Sequence, residues 1–254
     1  MIVTYHEKGW QVVTQRAHGI LAAQIAFHWN VRERPLRWVE TLLAIGEHDD
    51  AEIELDGEKL LTESGGPLNY SMKEFDLKHC QRLALLTVTK SRYIALLTSQ
   101  HMEFLYRKDA GSNKDAYQFL KDQEQLRLSL LADLGMKKHE LEEIYALLEW
   151  CDAFSLLLCQ CQVPKENRTI EISTGPNRKP YQLSEMGSGI LTVEPWPFEA
   201  RAFHVSFESR FLKQLEFQHP SQIRKAFTES EVAETNWEIK KKPVSYHKPK
   251  KTIV

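Results

Sequence analysis

The chain has 254 residues, and its 33 Lys and Arg against 35 Asp and Glu give a net charge of −2. Apolar residues make up 42% and charged residues 27% of the sequence, which excludes collagen-like, low-complexity and disordered proteins. The charge balance also argues against a nucleic-acid partner, because dedicated nucleic-acid-binding proteins usually carry a strong basic excess.

No apolar run approaches the roughly 20 residues that a membrane-spanning helix needs. The polar residues at positions 6–8 do not fit a signal peptide. We therefore predict a cytoplasmic protein without a membrane partner. The four cysteines, Cys80, Cys151, Cys159 and Cys161, are predicted to be free thiols, with metal ligation by the last two as the alternative.

Hydrophobic periodicity predicts a short hairpin followed by six helices in the first two thirds of the chain. The hairpin strands are predicted at residues 2–5 and 10–14. The helices are predicted at 16–29, 35–48, 73–88, 91–106, 114–134 and 138–161. The polar segment 49–70 separates the second and third helices, and loops of this length often form a lid or wall of a functional site.

The last third changes character and predicts a small β-rich part, to which the N-terminal hairpin adds strands. Strands are expected at 169–173, 189–193, 201–207 and 237–240, and short helices at 209–217 and 221–227. The predicted organisation is a helical body with the hairpin (1–163), a small α+β part packed on it (164–239) and a basic tail (240–254). The tail has six lysines and no acid. A solvated tail is favoured over one that steers an anionic partner.

Titratable residues interrupt the apolar stripes of several helices. His18 and His101 each lie in a stripe, Asp152 lies in the stripe of the last long helix, and His48 and Asp49 follow the apolar face of the second. A buried carboxylate needs a cation, a metal or several hydrogen-bond donors. Imidazoles and carboxylates from separate helices are the donors that divalent ions such as Mn, Fe, Mg, Ni or Zn use. A buried His–Asp hydrogen-bond network is the alternative.

The order His18, then His48-Asp49, then Asp152 resembles the H…HD…D pattern of the HD metal-dependent phosphohydrolase superfamily. The resemblance implies an all-α bundle for the helical body. Together with the predicted strands, this gives the expected fold class, α+β: a mainly helical HD-like bundle with a small β-rich C-terminal part and a short N-terminal hairpin. It also implies that His18, His48, Asp49 and Asp152 bind one or two divalent metal ions. His101 would be a further ligand or would support one from outside.

A second resemblance covers nearly the whole chain and concerns a bacterial family catalogued only as a domain of unknown function. It depends on five separated motifs: TQRAH at 14–18, LAIGEHD at 43–49, SQH with LYR at 99–107, WCDAFSL at 150–156 and PWPF at 195–198. The chain departs from that family after the His-Asp pair, where Asp50-Ala51-Glu52 replaces a Gly-Trp sequence. The wall of the site beyond the metal is therefore expected to differ.

The resulting hypothesis is a metal-dependent hydrolase acting on a phosphorylated or nucleotide-like small molecule. Asp49 would accept a proton from the attacking water, and Arg107 or Arg16 would contact the phosphate, with a surface ion pair as the ordinary alternative for each arginine. Gln15 would hold a ligating histidine from outside. Two alternatives remain: a non-catalytic metal- or ligand-binding protein, and an interaction protein whose polar core is only structural. The substrate, the metal and the oligomeric state are left open.

Overall fold

A computed structural model describes residues 1–51, 54–166, 168–187 and 189–243. The helices in these ranges are α1 Gln15–Phe27, α2 Trp38–Gly46, α3 Leu77–Val88, α4 Arg92–Tyr106, α5 Lys114–Leu134, α6 Lys138–Cys159 and α7 Pro220–Glu229. The strands are β1 Ile2–His6, β2 Gly9–Val13, β3 Thr169–Gly175, β4 Lys179–Gly187, β5 Ile190–Glu194, β6 Ala202–Leu212 and β7 Val232–Lys240.

All of these strands belong to one sheet, in the order β1-β2-β6-β7-β5-β4-β3. Neighbouring strands are antiparallel except β5 and β7, which pair in parallel. The N-terminal hairpin joins the sheet through β2, where Trp10 pairs with Leu212 and Val12 with Arg210 of β6. The expectation that the hairpin adds strands to the C-terminal part is thus confirmed.

The predicted fold class, a mainly helical HD-like bundle with a small β-rich part, is wrong. In the described residues the sheet has seven strands, drawn from residues 2–13 and 169–240, so it is a major layer of the fold. One face of it carries the core: in β6, Phe203, Val205 and Phe207 are buried in alternation with less buried neighbours. This period of two is the pattern of a strand with one face packed on other elements.

Four of the six predicted strands are too short, those at 10–14 and 189–193 have the observed length within one residue of register, and one strand was missed. Strand β4 lies between Pro176 and Gly187 in a region that was interpreted as turns, although Tyr181 and Leu183 alternate with less buried neighbours. The predicted helix at 209–217 is wrong because strand β6 continues to Leu212. The predicted strand at 237–240 is the end of the nine-residue β7. The short helix predicted at 221–227 is confirmed as α7.

Helix α1 is the central helix, because it packs against α2, α6 and strand β6. Thr14 caps it by accepting a hydrogen bond at 3.0 Å from the backbone N–H of Ala17. The contact with α2 is unusually close: a Cβ atom on Gly19 would lie 2.4 Å from the backbone oxygen of Gly46. Only glycine fits this crossing. The close approach of the two helices brings His18, the residue before Gly19, near the turn that follows Gly46.

The remaining expectations have mixed outcomes. All four cysteines are free, with Cys80, Cys151 and Cys159 buried and Cys161 exposed. In the described ranges, no helix combines the length and the apolar character needed to cross a bilayer. Most of the predicted basic tail, from residue 244 onward, lies outside the described residues.

Candidate histidine–aspartate centre

Five titratable side chains from four parts of the chain meet inside the helical layer. His18 comes from α1, His48 and Asp49 from the turn after α2, His101 from α4 and Asp152 from α6. The three imidazoles are at most 1% exposed. The carboxylates reach solvent slightly more, with side-chain exposures of 11% for Asp152 and 23% for Asp49. The structure therefore brings together all five residues that the stripes singled out.

Local structure explains how the residues reach one point. Helix α2 ends at Gly46, two residues earlier than predicted, so His48 and Asp49 lie on a turn and both can face the interior. The close crossing at Gly19 places the His18 and His48 rings edge to face, with centroids 4.9 Å apart. The rings of His48 and His101 are also edge to face at 4.9 Å.

The Nε2 atoms of the three rings all face carboxylate oxygens. Asp49 Oδ2 lies 3.6 Å from Nε2 of both His18 and His48, and Asp49 Oδ1 lies 3.7 Å from Nε2 of His101. Asp152 Oδ1 lies 3.3 Å from Nε2 of His48 and 3.8 Å from Nε2 of His18. Within the described part of the chain, none of these three Nε2 atoms has a hydrogen-bond partner of regular geometry.

The Nδ1 atoms are held from the outside by three different groups. His48 Nδ1 lies 2.7 Å from the backbone oxygen of Ile45. His18 Nδ1 lies 2.8 Å from the hydroxyl of Ser155, and His101 Nδ1 lies 3.2 Å from the hydroxyl of Tyr145. Each ring is thus anchored at one nitrogen and presents the other to the centre. This is the arrangement in which outer groups orient ligating histidines.

The carboxylates strongly affect the protonation of the cluster. Burial by itself lowers the pKa of His48, but the charges of Asp49 and Asp152 outweigh it and raise that pKa to about 10. Burial acts to raise the pKa values of Asp49 and Asp152, yet the imidazoles, His48 first, hold both below the ordinary value. Without another cation, the centre is therefore a buried ion cluster with a protonated His48 at neutral pH.

Asp49 has an additional anchor. Gln15 Nε2 donates a hydrogen bond of 2.8 Å to Asp49 Oδ2, and the backbone N–H of Gln15 donates to Glu54 Oε2 at 2.6 Å. The sequence predicts a hydrogen bond from Gln15 to a ligating histidine. That prediction is wrong, because the Gln15 amide donates its hydrogen bond to the carboxylate of Asp49. The start of α1 thereby fixes the orientation of Asp49.

The two predicted phosphate-binding arginines lie outside the cluster. The side chain of Arg107 is 71% exposed, and its Nε is 3.2 Å from Glu103 one turn earlier. Arg16 is 51% exposed and pairs with Asp50 at 2.5 Å. Of the predicted departure at 50–52, Glu52 lies outside the described residues.

Sequence reasoning missed the outer contacts of the rings. Ser155 was recognised only as a polar member of the α6 stripe, and its position three residues after Asp152 was the available signal. Tyr145 lies beside that stripe, and nothing in the sequence marks it as a partner of a histidine on another helix. The Ile45 contact uses a backbone oxygen, which carries no residue signal.

The fold and the centre together define the class: an α+β protein with a buried three-histidine, two-aspartate cluster at the junction of four chain segments. The chain belongs to the family described as "Protein of unknown function (DUF3891)", whose model matches residues 1–214. The match includes every residue of the cluster, and the predicted membership in a family of unknown function is confirmed. Neither the search of curated proteins nor that of solved structures finds a match.

The pKa shifts predict how pH affects the metal-free protein. The pKa of His48 is raised to about 10, so its contribution to stability is complete below pH about 6.5 and is lost as pH rises through about 10. Asp49 and Asp152 have lowered pKa values, so their contribution is present above pH about 4 and is lost on further acidification. Melting temperatures measured with chelator should therefore fall below pH about 4 and again as pH rises through about 10.

His48→Gln tests whether His48 causes the fall in melting temperature at high pH, because glutamine does not titrate. The difference in melting temperature between wild type and variant should shrink as pH approaches and passes about 10. A difference that stays constant across this range would contradict the assignment of the alkaline loss to His48.

Proposed function

We propose that the cluster binds a divalent transition-metal ion and that the protein is a metal-dependent hydrolase for a phosphorylated or nucleotide-like small molecule. The observation that carries the proposal is the set of three buried Nε2 atoms that face two carboxylates and have no hydrogen-bond partner among the described residues. Ordinary core histidines satisfy both ring nitrogens, because an unpaired buried polar atom is costly.

The position of the ring proton on His48 supports a cation in the centre. The carbonyl of Ile45 can only accept, so Nδ1 of His48 carries the proton that it shares. In the neutral ring, Nε2 then presents a lone pair to Asp49 and Asp152, whose oxygens also present lone pairs. This arrangement is repulsive unless a proton or a metal ion occupies the space between them.

The spacing of the donor atoms suits one ion. Two atoms bound to one ion at about 2.1 Å are about 3.0 to 3.4 Å apart in octahedral or tetrahedral arrangements. The N···O distances in the cluster run from 3.3 Å, within this range, to 3.8 Å, slightly beyond it. His18, His48 and Asp49 form one set of donors within 4.8 Å of one another, and His48, His101 and Asp152 form a second. Three imidazoles with two carboxylates favour Mn, Fe, Ni or Zn over Mg.

The roles of the protein groups follow from their exposure. A bound divalent ion would lower the pKa of a coordinated water and polarise a phosphoryl oxygen. Asp49 has the more exposed carboxylate of the pair and is the group that can accept a proton from an attacking water. Gln15 keeps that carboxylate oriented. Arg107 would contact an anionic substrate on the His101 side after releasing Glu103.

A phosphoester and nucleotide panel with added Mn²⁺ tests the hydrolase. Activity should be abolished by chelator, restored by the metal and reduced at least about 100-fold in Asp49→Asn, since general-base assistance contributes about 10²- to 10⁴-fold. Asp122→Asn, which changes an exposed aspartate on α5, should retain full activity. Equal turnover in Asp49→Asn and wild type would refute the role of Asp49.

A non-catalytic metal- or ligand-binding protein is the second candidate, and the burial of the centre favours it. The imidazoles are at most 1% exposed. Two surface grooves, one between α1 and α2 and one beside residues 58–65, are lined by other residues. Metal binding by wild type without turnover of any member of the panel would favour this candidate over the hydrolase.

A further inference from the structure

Ser155 is the side chain that contacts the outer nitrogen of His18. It is fully buried on α6, one turn after Asp152, and its Oγ lies 2.8 Å from His18 Nδ1. We propose that Ser155 is a positioning residue that fixes the Nδ1–H tautomer of His18 and so turns the Nε2 lone pair toward the cluster. The consequence for metal binding rests on the proposed function, whereas the tautomer itself does not.

The direction of the hydrogen bonds follows from counting protons. A serine hydroxyl has one proton to donate, and the backbone oxygen of Asp152, 2.8 Å from Ser155 Oγ, can only accept, so we assign the proton to this bond. Toward His18 the hydroxyl can then only accept, so Nδ1 of His18 must be the donor. A neutral His18 consequently has no proton on Nε2, which lies 3.6 Å from Asp49 and 3.8 Å from Asp152.

The three rings differ in how firmly their outer contact sets the tautomer. For His48 the partner is a backbone carbonyl, which no side-chain substitution removes. For His101 the partner is the Tyr145 hydroxyl, which can donate or accept. Ser155 alone among these partners is a side chain whose proton is already directed elsewhere, so replacing it tests the orientation of one ring specifically.

Ser155→Ala should change the chemistry of His18 with little change in shape. Alanine keeps the Cβ atom and loses only the hydroxyl, which leaves Nδ1 of His18 without an acceptor. The Nε2–H tautomer then becomes favoured, because its proton points at the carboxylates of Asp49 and Asp152. A ring protonated on Nε2 cannot coordinate through that atom, so bound metal would have to force the tautomer back.

Two measurements on the full-length protein test the proposal. Long-range ¹H–¹⁵N NMR of metal-free, histidine-labelled protein reports the tautomer of His18, with the signal assigned by its loss in His18→Gln. Titration with Zn²⁺ reports affinity. Ser99→Ala is the matched control, because Ser99 is also a buried helical serine with two hydrogen bonds but contacts Gln123 and Arg127.

The wild type and Ser99→Ala should show the Nδ1–H tautomer, and Ser155→Ala should show Nε2–H with zinc affinity lowered about 10- to 100-fold. An Nε2–H or doubly protonated His18 in the wild type would overturn the proposal. So would a Ser155→Ala variant that keeps the Nδ1–H tautomer. If the wild type binds no zinc, the proposed function fails, and the metal-free spectra still decide the role of Ser155.

Discussion

His48→Ala is expected to lower the metal content of purified, Zn²⁺- or Mn²⁺-loaded protein from about one ion per chain to a small fraction of that. His48 is the residue shared by both sets of donors within the cluster, so its loss removes a ligand from each. Its ring also lies between the two carboxylates, at 3.6 Å from Asp49 and 3.3 Å from Asp152. Elemental analysis after gel filtration measures the effect.

His139→Ala is the matched control, because His139 is an exposed histidine near the start of the helix that carries Asp152. It should leave the metal content unchanged. Metal uptake by the wild type should also weaken at acidic pH, because imidazoles must lose a proton to coordinate. Equal metal content in His48→Ala and the wild type would remove His48 from the ligand set.

Asp152→Asn is expected to abolish most of the metal-dependent rise in melting temperature while destabilising the metal-free protein only modestly. A ligand present at 100 times its Kd stabilises a protein by about 2.7 kcal/mol, and this is the gain that the variant should lose. In the metal-free state the protonated His48 keeps Asp49 as a partner. The loss should therefore remain below the roughly 3–5 kcal/mol typical of a buried charge stripped of its only partner.

Melting wild type and variant in parallel, with chelator and with Zn²⁺, separates the two effects. Asp122→Asn controls for the loss of one aspartate at an exposed position. A large loss of stability in chelator would mean that Asp152 is chiefly the counter-ion of His48. A normal Zn²⁺-dependent rise in Asp152→Asn would mean that this carboxylate is not a ligand.

The candidate site was largely readable from the sequence because helices have a fixed period. A polar residue at an apolar position, such as His18, His101 or Asp152, must be buried if its helix packs, whatever the overall architecture. The adjacent His48 and Asp49 followed an apolar face in the same way. The residues that hold the rings from outside were not readable, since Tyr145 and the Ile45 backbone have no pattern that names a distant partner.

The extent of the sheet could not be predicted from the sequence either, because it also depends on contacts between distant residues. Strands β6 and β7 pair along nine residues, from Ala202 with Lys240 to Arg210 with Val232. Only Phe203, Val205 and Phe207 gave a clear alternation, and the polar residues that follow were interpreted as the start of a helix. Strand signals depend on cross-strand neighbours and burial more than on the segment itself.

By itself the sequence determined the six helices of the first two thirds of the chain, the family membership and the five side chains that had to be buried, because periodicity and motifs are local properties. The tertiary structure decided that those side chains meet, since their convergence requires the close crossing of α1 and α2 at Gly19 and Gly46. It also decided that the N-terminal hairpin and the strands of residues 169–240 form one seven-stranded sheet in the described part of the chain. Pairing between residues some 200 positions apart, such as Trp10 and Leu212, depends on which surfaces remain unburied after the helices pack.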